Sequence, residues 1–562
     1  MHIEPVVLSL SLQAPRRCRA QLAAAVVVAR EDLAAGKSGR QSSAAQRIPA
    51  STLFRAMERL DALDADPDAR AFYDGPHGLL LLHRLVLVLI LVLVFESGLG
   101  VDKVRRILLL AGIGRRVACS PSHLRSKVVA MRRIMLEFER EQTADLAPTM
   151  PHRTVTLCPD EMFRCGKMIL TAPDPVSGML LVHQTAPRRD AATWGEAIKC
   201  SKQGLTMTLA GLCADRAGGI QSAAEEQLEV AFYPELFHVQ KGVQEAFGRP
   251  LQQQVTATHK ARSRAAVQAL RLGLEPGAPA ANVDPGESPE LHAAARALTT
   301  AEQAMREAQE AHKTLGEVSR ALSLSLHPVD LHTGAPRDPE EVEGAVEDQL
   351  RRLDPLAARL GEDCQKALRS AREVIPAWKD MVTQWRARTT ARVQQEVMSA
   401  GLQWVMWTWL IPAYYLAWVG ARNHLPTAVR KYLRAQSDAM LGRVAAHAEW
   451  RDLPHGLRVH LASVAQECAR WFVRSSSPTE GHNAWTSHRL YRHHGVRDEW
   501  LSALKVVHNF VLRRADGTTA AERFYGRAHG DLVEYLCARM PLPPLPRNRR
   551  PKPRPDPLQL TG

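Results

Sequence analysis

The sequence predicts a mixed, mostly helical protein with one small α/β region. Short β-type runs are concentrated between residues 151 and 250, and helical patterns fill the chain before and after them. At 562 residues, 45% of them hydrophobic and 23% charged, the chain is too long for one compact core and too apolar to be disordered. We therefore expect a helical region at 1–150, an α/β region at 151–250, a helical insertion at 251–425, a helical C-terminal part at 426–540 and a tail at 541–562.

Two segments of the N-terminal region have helix-turn-helix rhythm. In the first, residues 101–111 form a helix, residues 112–119 a turn, and a second helix opens at Ser120 and runs to about residue 138. The second candidate is residues 51–63, after a turn at 36–39. The basic residues of the first candidate are predicted to bind DNA: Arg115, Arg116, Arg125, Lys127, Arg132 and Arg133. A helical bundle with solvated arginines explains the same pattern, so both interpretations stay open.

An apolar run at residues 79–95 is interrupted by His83 and Arg84. The 11 residues that remain are too few to cross a bilayer, so we expect a buried helix and no membrane partner. The first residues lack the pattern of a secretory signal, and the nine cysteines are scattered without a C-x-x-C pair. We expect a protein of the reducing cytoplasm.

The α/β region contains five predicted strands separated by turns and helices, at residues 154–158, 167–171, 179–184, 207–213 and 229–232. Helices are predicted at residues 194–200, from 218 to 228 and at 239–247. Strands followed by helices in this order favour a mixed sheet.

The insertion begins with a flexible linker at residues 273–290. Apolar residues at spacings of three and four then predict a long helix at 291–322, suited to a coiled-coil hairpin, in which His312 and Ser319 are the polar exceptions. Four tryptophans between residues 404 and 418 are interpreted as core rather than as a platform for base stacking, since no arginine is interleaved with them. The Pro- and Arg-rich tail is either a solvated end or an arm that binds phosphate.

The net charge points to a polyanionic partner. Lysine and arginine total 73 against 59 acids, a formal charge of +14 that favours nucleic acid first and an anionic membrane second.

Candidate catalytic acids follow two of the predicted strands. Asp160 and Asp215 each come after an apolar run, so a sheet would project both carboxylates from strand ends. Such hard-oxygen sites suit Mg²⁺, and two ions about 4 Å apart can drive an in-line phosphodiester displacement. Glu480 is the candidate third acid, although Ser477, Pro478 and Glu480 also fit a helix capping box without any catalytic role.

These motifs, in this order, resemble a family of bacterial insertion-sequence transposases of the DDE type. The resemblance covers roughly residues 100–540. It is carried by Asp-Glu-Met-Phe at 160–163, Ala-Asp-Arg-Ala-Gly-Gly at 214–219, Phe-His at 237–238, Ser-Ser-Ser-Pro-Thr-Glu-Gly-His-Asn at 475–483, His-Asn-Phe at 508–510 and Arg-Arg-Ala-Asp-Gly-Thr-Thr-Ala-Ala-Glu-Arg-Phe at 513–524.

The resemblance implies an RNase H-like catalytic fold in which Asp160, Asp215 and Glu480 bind Mg²⁺, or Mn²⁺ in its place. It also implies a helical insertion between Asp215 and Glu480. The neighbouring Glu161 would face the opposite side of a strand. Asp160 is preferred because it follows the apolar run directly, and the choice between the two acids rests on the resemblance.

Histidines near these motifs have less specific interpretations. His238 could orient a phosphate, although a core histidine is the simpler explanation. The group His482, His488, His493 and His494 lacks a recognised zinc spacing.

The resemblance therefore implies a transposase that acts on double-stranded DNA, both at the element ends and at the target. We expect it to bind DNA as a homodimer or larger assembly, in the bacterial cytoplasm and associated with the nucleoid. Water would hydrolyse the phosphodiester and the resulting 3′-hydroxyl would attack the target. The alternatives are a DNA-binding protein that has lost catalysis and an RNase H-like nuclease that does not join strands.

Overall fold

A computed structural model describes residues 19–61, 67–274, 288–396, 398–422, 425–490 and 496–546. Most of the predicted linker at 273–290 and of the predicted tail at 541–562 lies outside these ranges. The chain is mostly helical, as the sequence predicts, with two small three-stranded ladders.

Three helices at the N terminus share a small core of their own: α1 (Arg19–Ala34), α2 (Gly39–Ala45) and α3 (Ala50–Asp61). Helix α2 begins with a capping box, in which Ser38 and Gln41 bond each other's backbone N–H groups. Val26 of α1 and Leu53 of α3 are buried in this core, which is separate from the larger ones.

Four helices follow: α4 (Pro67–Asp74), α5 (Pro76–Ile90), α6 (Val101–Leu110) and α7 (Pro121–Leu146). Helix α5 continues into a π-helical turn at Leu91–Glu96. Among the described residues, Pro76–Glu96 is the one helical stretch long and apolar enough to cross a bilayer by length and composition, and 56% of its most apolar window is buried in the protein.

The stretch is longer than the expected 11 residues because the helix continues across its two polar residues. His83 contacts the Cys537 carbonyl at 3.3 Å, and Arg84 pairs with Glu534. Ile90 and Phe95 are buried in the larger core that also contains the sheet.

Six strands form the α/β region: β1 (Arg153–Leu157), β2 (Asp160–Arg164), β3 (Lys167–Pro173), β4 (Leu180–Ala186), β5 (Met207–Ala214) and β6 (Ala231–Pro234). Strands β1, β5 and β6 are parallel, with β5 in the middle, whereas β2, β3 and β4 form an antiparallel meander. Only Cys158 and Pro159 separate β1 from β2, and the Cys158 N–H donates to the Pro173 carbonyl of β3 at 3.1 Å. The two ladders therefore meet at this junction.

Strand β2 is absent from the sequence-based assignment. We expected Asp160 to lie in a loop after the first strand, but Asp160 is the first residue of β2 and is paired with Thr171. The reason is that the Cys158–Pro159 break lets the chain leave one ladder and join another, which a run of apolar residues does not indicate. Helices α8 (Ala191–Ser201) and α9 (Gly218–Ser222) connect the later strands.

The insertion begins with a hairpin of two long helices, α10 (Leu236–Arg271) and α11 (Pro289–Ser325). The predicted helix at 291–322 is confirmed, and the predicted helix at 239–247 is extended through Pro250. Ala311 and Val318 lie on the buried face of α11. His312 and Ser319, each the next residue along the chain, face away from that core, so the two polar exceptions do not interrupt the buried face.

The remaining insertion helices are α12 (Pro339–Arg351), α13 (Asp354–Leu360), α14 (Glu362–Arg372), α15 (Ile375–Gln394), α16 (Ala400–Val405), α17 (Ile411–Gly420), α18 (Thr427–Ala446), α19 (Ala448–Arg451) and α20 (His455–Arg470). They surround a second large core, to which Trp407, Trp409 and Trp418 contribute. Trp404 is an exception, since half of its surface is exposed.

Four C-terminal helices return to the first core: α21 (Ser477–Leu490), α22 (Asp498–Phe510), α23 (Ala520–Tyr525) and α24 (Leu532–Arg539). Buried residues of α22 and α23, such as Leu504 and Phe524, share that core with the sheet and with α5 and α7. The chain segments on both sides of the insertion thus complete one core around the sheet.

Candidate active site

The carboxyl ends of the three parallel strands meet at one edge of the sheet, and an acid follows each of them. Asp160 lies three residues after β1, Asp215 directly after β5 and Glu235 directly after β6. The Glu235 N–H donates to the Ala214 carbonyl at 2.8 Å, which holds the ends of β5 and β6 in register. Parallel pairing therefore gathers acids that are distant in sequence.

Two hydrogen bonds hold the Asp160 carboxylate. Its Oδ1 accepts the Glu161 N–H at 2.8 Å, and its Oδ2 accepts the Asn483 amide of α21 at 2.7 Å. Burial, together with the negative charges of Asp215 and Glu235, raises the pKa of Asp160 from 3.8 to about 6. A nearby cation would stabilise the ionised form of this carboxyl group.

Glu161 lies on the other side of the same strand. Its Oε1 accepts the Trp194 indole N–H at 3.0 Å, and its Oε2 lies 3.9 Å from the Arg189 guanidinium. The alternation expected for a strand therefore separates the two adjacent acids, and Asp160 is the one that faces Asp215 and α21.

Glu480 lies in the first turn of α21, and its side chain is exposed. The alternative interpretation as a capping box is wrong, because α21 begins one residue earlier than that pattern requires. The Glu480 N–H donates to the Ser476 carbonyl at 3.2 Å, and Ser477 is inside the helix. Within the described part of the chain, the Glu480 carboxylate has no hydrogen bond or ion pair.

Helix α21 is attached to the sheet edge at two points. The Thr479 hydroxyl donates to the Cys158 carbonyl at 2.6 Å, and Asn483 bonds Asp160. Because Glu480 and Asn483 are three residues apart, they share one face of the helix. Glu480 therefore lies on the same helix face as Asn483, which bonds Asp160. Within the described ranges, its carboxylate does not form a group of three metal-binding side chains with Asp160 and Asp215.

Glu235 is a site residue that the sequence-based reasoning missed. Its carboxylate is 1% exposed and accepts bonds from the Ser475 hydroxyl, the Ser476 N–H, the Ser476 hydroxyl and His238 Nδ1, at 2.7 to 3.1 Å. Glu235 thereby ties the end of β6 to the start of α21. The signal that could have located it is its position directly after a strand, the same rule that selected Asp215.

His238 is not a core histidine, so the simpler explanation of its position is wrong. Its side chain is 39% exposed, and Nδ1 lies 2.7 Å from the Glu235 carboxylate. It lies in the first turn of α10, at the same sheet edge as the acids.

The donor set is the kind that a hard divalent cation requires. Asp160 and Asp215 supply carboxylate oxygens, and none of the described lysines or arginines pairs with either. Across the described ranges, however, no three His, Cys, Asp or Glu side chains lie close enough to hold a metal ion. The strand acids therefore fit Mg²⁺ in chemistry and charge, while Glu480 is not yet within reach of them.

Two of the four histidines that lack a recognised zinc spacing, His482 and His488, lie in α21, and His488 is exposed. His482 is buried and its Nδ1 contacts His508 Nδ1 at 3.3 Å, while Thr486 bonds its Nε2 at 3.1 Å. Burial, with the neighbouring His183 and His508, lowers the pKa of His482 well below its ordinary value, so the ring is neutral. His493 and His494 lie outside the described residues.

Half of the six predicted DNA-binding residues are unsuited to that role. Arg116 is buried over the Tyr73 ring, and Lys127 is buried with its ammonium donating to the Pro541 carbonyl at 3.1 Å. Arg132 lies between the Trp500 ring and Glu499. The reason is that α7 packs along α22 and α24 and so belongs to the main core. Arg115, Arg125 and Arg133 remain exposed.

In the second helix-turn-helix candidate, one face of the second helix is exposed to solvent. Helices α2 and α3 are joined by a short turn in which Ile48 is buried, and one face of α3 is open to solvent. Ser51, Thr52 and Arg55 lie on that exposed face.

Residues 406–552 match a family of unknown function, DUF6399. The match covers less than half of the chain and includes Glu480, Asn483 and the segment 513–524. No curated protein is similar enough in sequence to match the chain.

Proposed function

We propose that the protein is a DDE-type DNA transposase. The observation that carries this proposal is the placement of Asp160 and Asp215 at neighbouring strand ends, with α21 bonded to Asp160 through Asn483 and carrying Glu480 one turn earlier. Acids held on rigid strands and completed by a helix suit metal-dependent phosphodiester chemistry.

The strand order supports an RNase H-like catalytic domain. An antiparallel meander whose first strand continues, across Cys158 and Pro159, alongside two parallel strands is the arrangement expected of that fold. In this interpretation β1 and β2 together form the first strand. The insertion between Asp215 and Glu480 then interrupts one catalytic domain.

Mg²⁺, or Mn²⁺ in its place, would be held by Asp160 and Asp215 and completed by Glu480, and it would supply charge to stabilise the attacking and leaving oxygens of the phosphodiester. The chain's own contribution is to hold these acids. Asn483 and the Glu161 N–H fix the orientation of the Asp160 carboxylate, which is partly buried at the strand end. Closure of the site requires Glu480 to approach the strand acids.

DNA binding would come from the N-terminal helices and from the excess of basic residues. Helix α3 would enter the major groove with Ser51, Thr52 and Arg55, because these side chains are exposed on one face of the helix. In the competing α6–α7 candidate, three of the six basic residues are held by core contacts instead. Double-stranded DNA is thus the proposed partner, at the element ends and at the target, with an assembly of two or more copies in the bacterial cytoplasm.

A DNA-binding protein without catalysis is the second candidate. The observation that favours it is that Glu480 remains outside the acid cluster. A protein of this kind would bind an end sequence and leave both strands intact even with all three acids present.

The test is a cleavage and strand-transfer assay on a duplex that carries the inverted repeats flanking the coding region, in Mg²⁺ or Mn²⁺. Asp160→Asn, Asp215→Ala and Glu480→Gln should each lower the rate by about 100-fold or more, because each removes a carboxylate on which metal binding depends. DNA binding should persist, since phosphate neutralisation by basic residues supplies most of the affinity.

Glu161→Gln is the matched control, because Glu161 is adjacent to Asp160 but faces Trp194; it should keep nearly full activity. Arg55→Ala should weaken binding to the element ends. Arg116→Ala should leave that affinity unchanged in protein that remains folded, because Arg116 is buried over Tyr73. Cleavage by Asp215→Ala protein would rule out the DDE assignment, and an inactive wild type that binds the ends would favour the second candidate.

A further inference from the structure

His238 presents an imidazole nitrogen that no described residue uses. Its Nδ1–H donates to Glu235 Oε2 at 2.7 Å, and the exposed part of the ring carries Nε2. Glu235 is buried and accepts three further bonds from Ser475 and Ser476, so its orientation is determined. The histidine is therefore held in place by a carboxylate that is itself held in place.

The pair lies at the edge where the acids meet. Glu235 bonds the backbone of Ala214, the residue before Asp215, and its charge contributes to the raised pKa of Asp160. His238 also lies in the first turn of the 36-residue helix α10, where the helix dipole favours an anion. An anionic substrate that reaches the strand acids would pass beside this ring.

We propose that His238 contacts a phosphate of the DNA strand that enters the acid site, and that Glu235 is the residue that positions it. This inference rests on the proposed function. An imidazolium ring has one N–H donor on each nitrogen, so in that form His238 would donate one hydrogen bond to Glu235 and one to the phosphate. His238 would thus fix the position of the strand relative to Asp160 and Asp215.

The chain contains a matched control pair elsewhere. His460 of α20 bonds Glu396 through Nε2 at 2.9 Å, and its side chain is 51% exposed. This pair belongs to the insertion helices and not to the strand ends, so it has similar chemistry without access to a substrate at the acids.

The experiment combines a variant with chemically modified DNA. Full-length wild type, His238→Ala and His460→Ala are titrated with an end-containing duplex in Ca²⁺, and with duplexes that carry one neutral methylphosphonate at each of the phosphates around the cleavage position. His238→Ala should bind the unmodified duplex about tenfold more weakly than wild type. One methylphosphonate should weaken wild type to a similar degree and have little further effect on His238→Ala.

Further variants separate contact from structure. His238→Lys should recover part of the affinity for unmodified DNA, because it restores a positive donor, and should gain nothing on the sensitive methylphosphonate. His238→Gln, whose amide can still bond Glu235, provides the same test if His238→Ala proves unstable. His460→Ala should behave as wild type at every position.

The proposal is overturned if His238→Ala binds as wild type, or if its loss adds fully to that of the methylphosphonate at every position. In that case a wild type that still cleaves the ends leaves the proposed function intact. A wild type that neither binds nor cleaves these duplexes would overturn both.

Discussion

The strand-borne acids and the helix-borne acid of the candidate site occupy different environments. Asp160 and Glu235 are partly and fully buried, respectively, and are bonded by neighbouring groups, and the charge of Glu235 helps to raise the pKa of Asp160. Glu480 is exposed and, within the described ranges, unbonded. The sheet therefore fixes the positions of the strand-borne acids, which form one half of the site. The position of Glu480, the other half, depends on how α21 packs against the sheet.

The largest expected effect on stability comes from the link between the two halves. Glu235→Gln should destabilise the start of α21 by about 3 kcal/mol, because an amide group replaces an acceptor oxygen opposite the buried donors of Ser476 and His238. Hydrogen–deuterium exchange of residues 475–480 should become faster. Unchanged exchange there would mean that Glu235 does not hold the helix.

A smaller effect, of opposite sign, is expected at Asp160. Because its pKa is raised from 3.8 to about 6 in the folded protein, the folded state binds the proton more tightly than the unfolded state. Stability from this group is therefore present at low pH and is lost as the pH rises through about 6. Asp160→Asn cannot ionise, but it keeps only one of the two oxygens that accept bonds from the Glu161 N–H and Asn483. It should therefore be more stable than wild type by only about 1 kcal/mol at pH 7, after allowance for the lost acceptor and for partial exposure.

Melting temperatures measured in EDTA from pH 5 to pH 8 test this expectation. The gain of Asp160→Asn over wild type should already reach about half of its full size at pH 5, because the unfolded state loses this proton near pH 3.8, and it should level off above about pH 7. A gain that does not depend on pH would show that the desolvated charge of Asp160 is not its source.

The smallest effect is expected at Glu480. Glu480→Gln should change stability by less than about 0.5 kcal/mol at any pH, because no described residue bonds the exposed carboxylate. The same variant should lose cleavage activity. A large change in its melting temperature would mean that Glu480 already joins the strand acids in the absence of metal, and the contrast between the two halves would disappear.

Several parts of this site follow from local sequence patterns. The apolar runs before Asp160 and Asp215 indicate strands, and an acid after each strand is placed at the sheet edge whenever the strands are parallel neighbours. Ser120 and Pro121 correctly marked the start of α7, since capping depends on adjacent residues. The start of α21 was missed by one residue because Ser476 bonds Glu235, a partner 241 residues away in the chain.

The sequence by itself determined the mostly helical class, the positions of five strands and the long helix α11, because periodic burial of apolar residues is a local property. The tertiary structure decided which of two similar helix pairs remains exposed, which of the adjacent acids Asp160 and Glu161 faces Asp215, and that Glu235 is buried beside them. These outcomes depend on contacts between segments far apart in the chain, such as α7 with α22 and β6 with α21. No local pattern records such partners, so only packing reveals them.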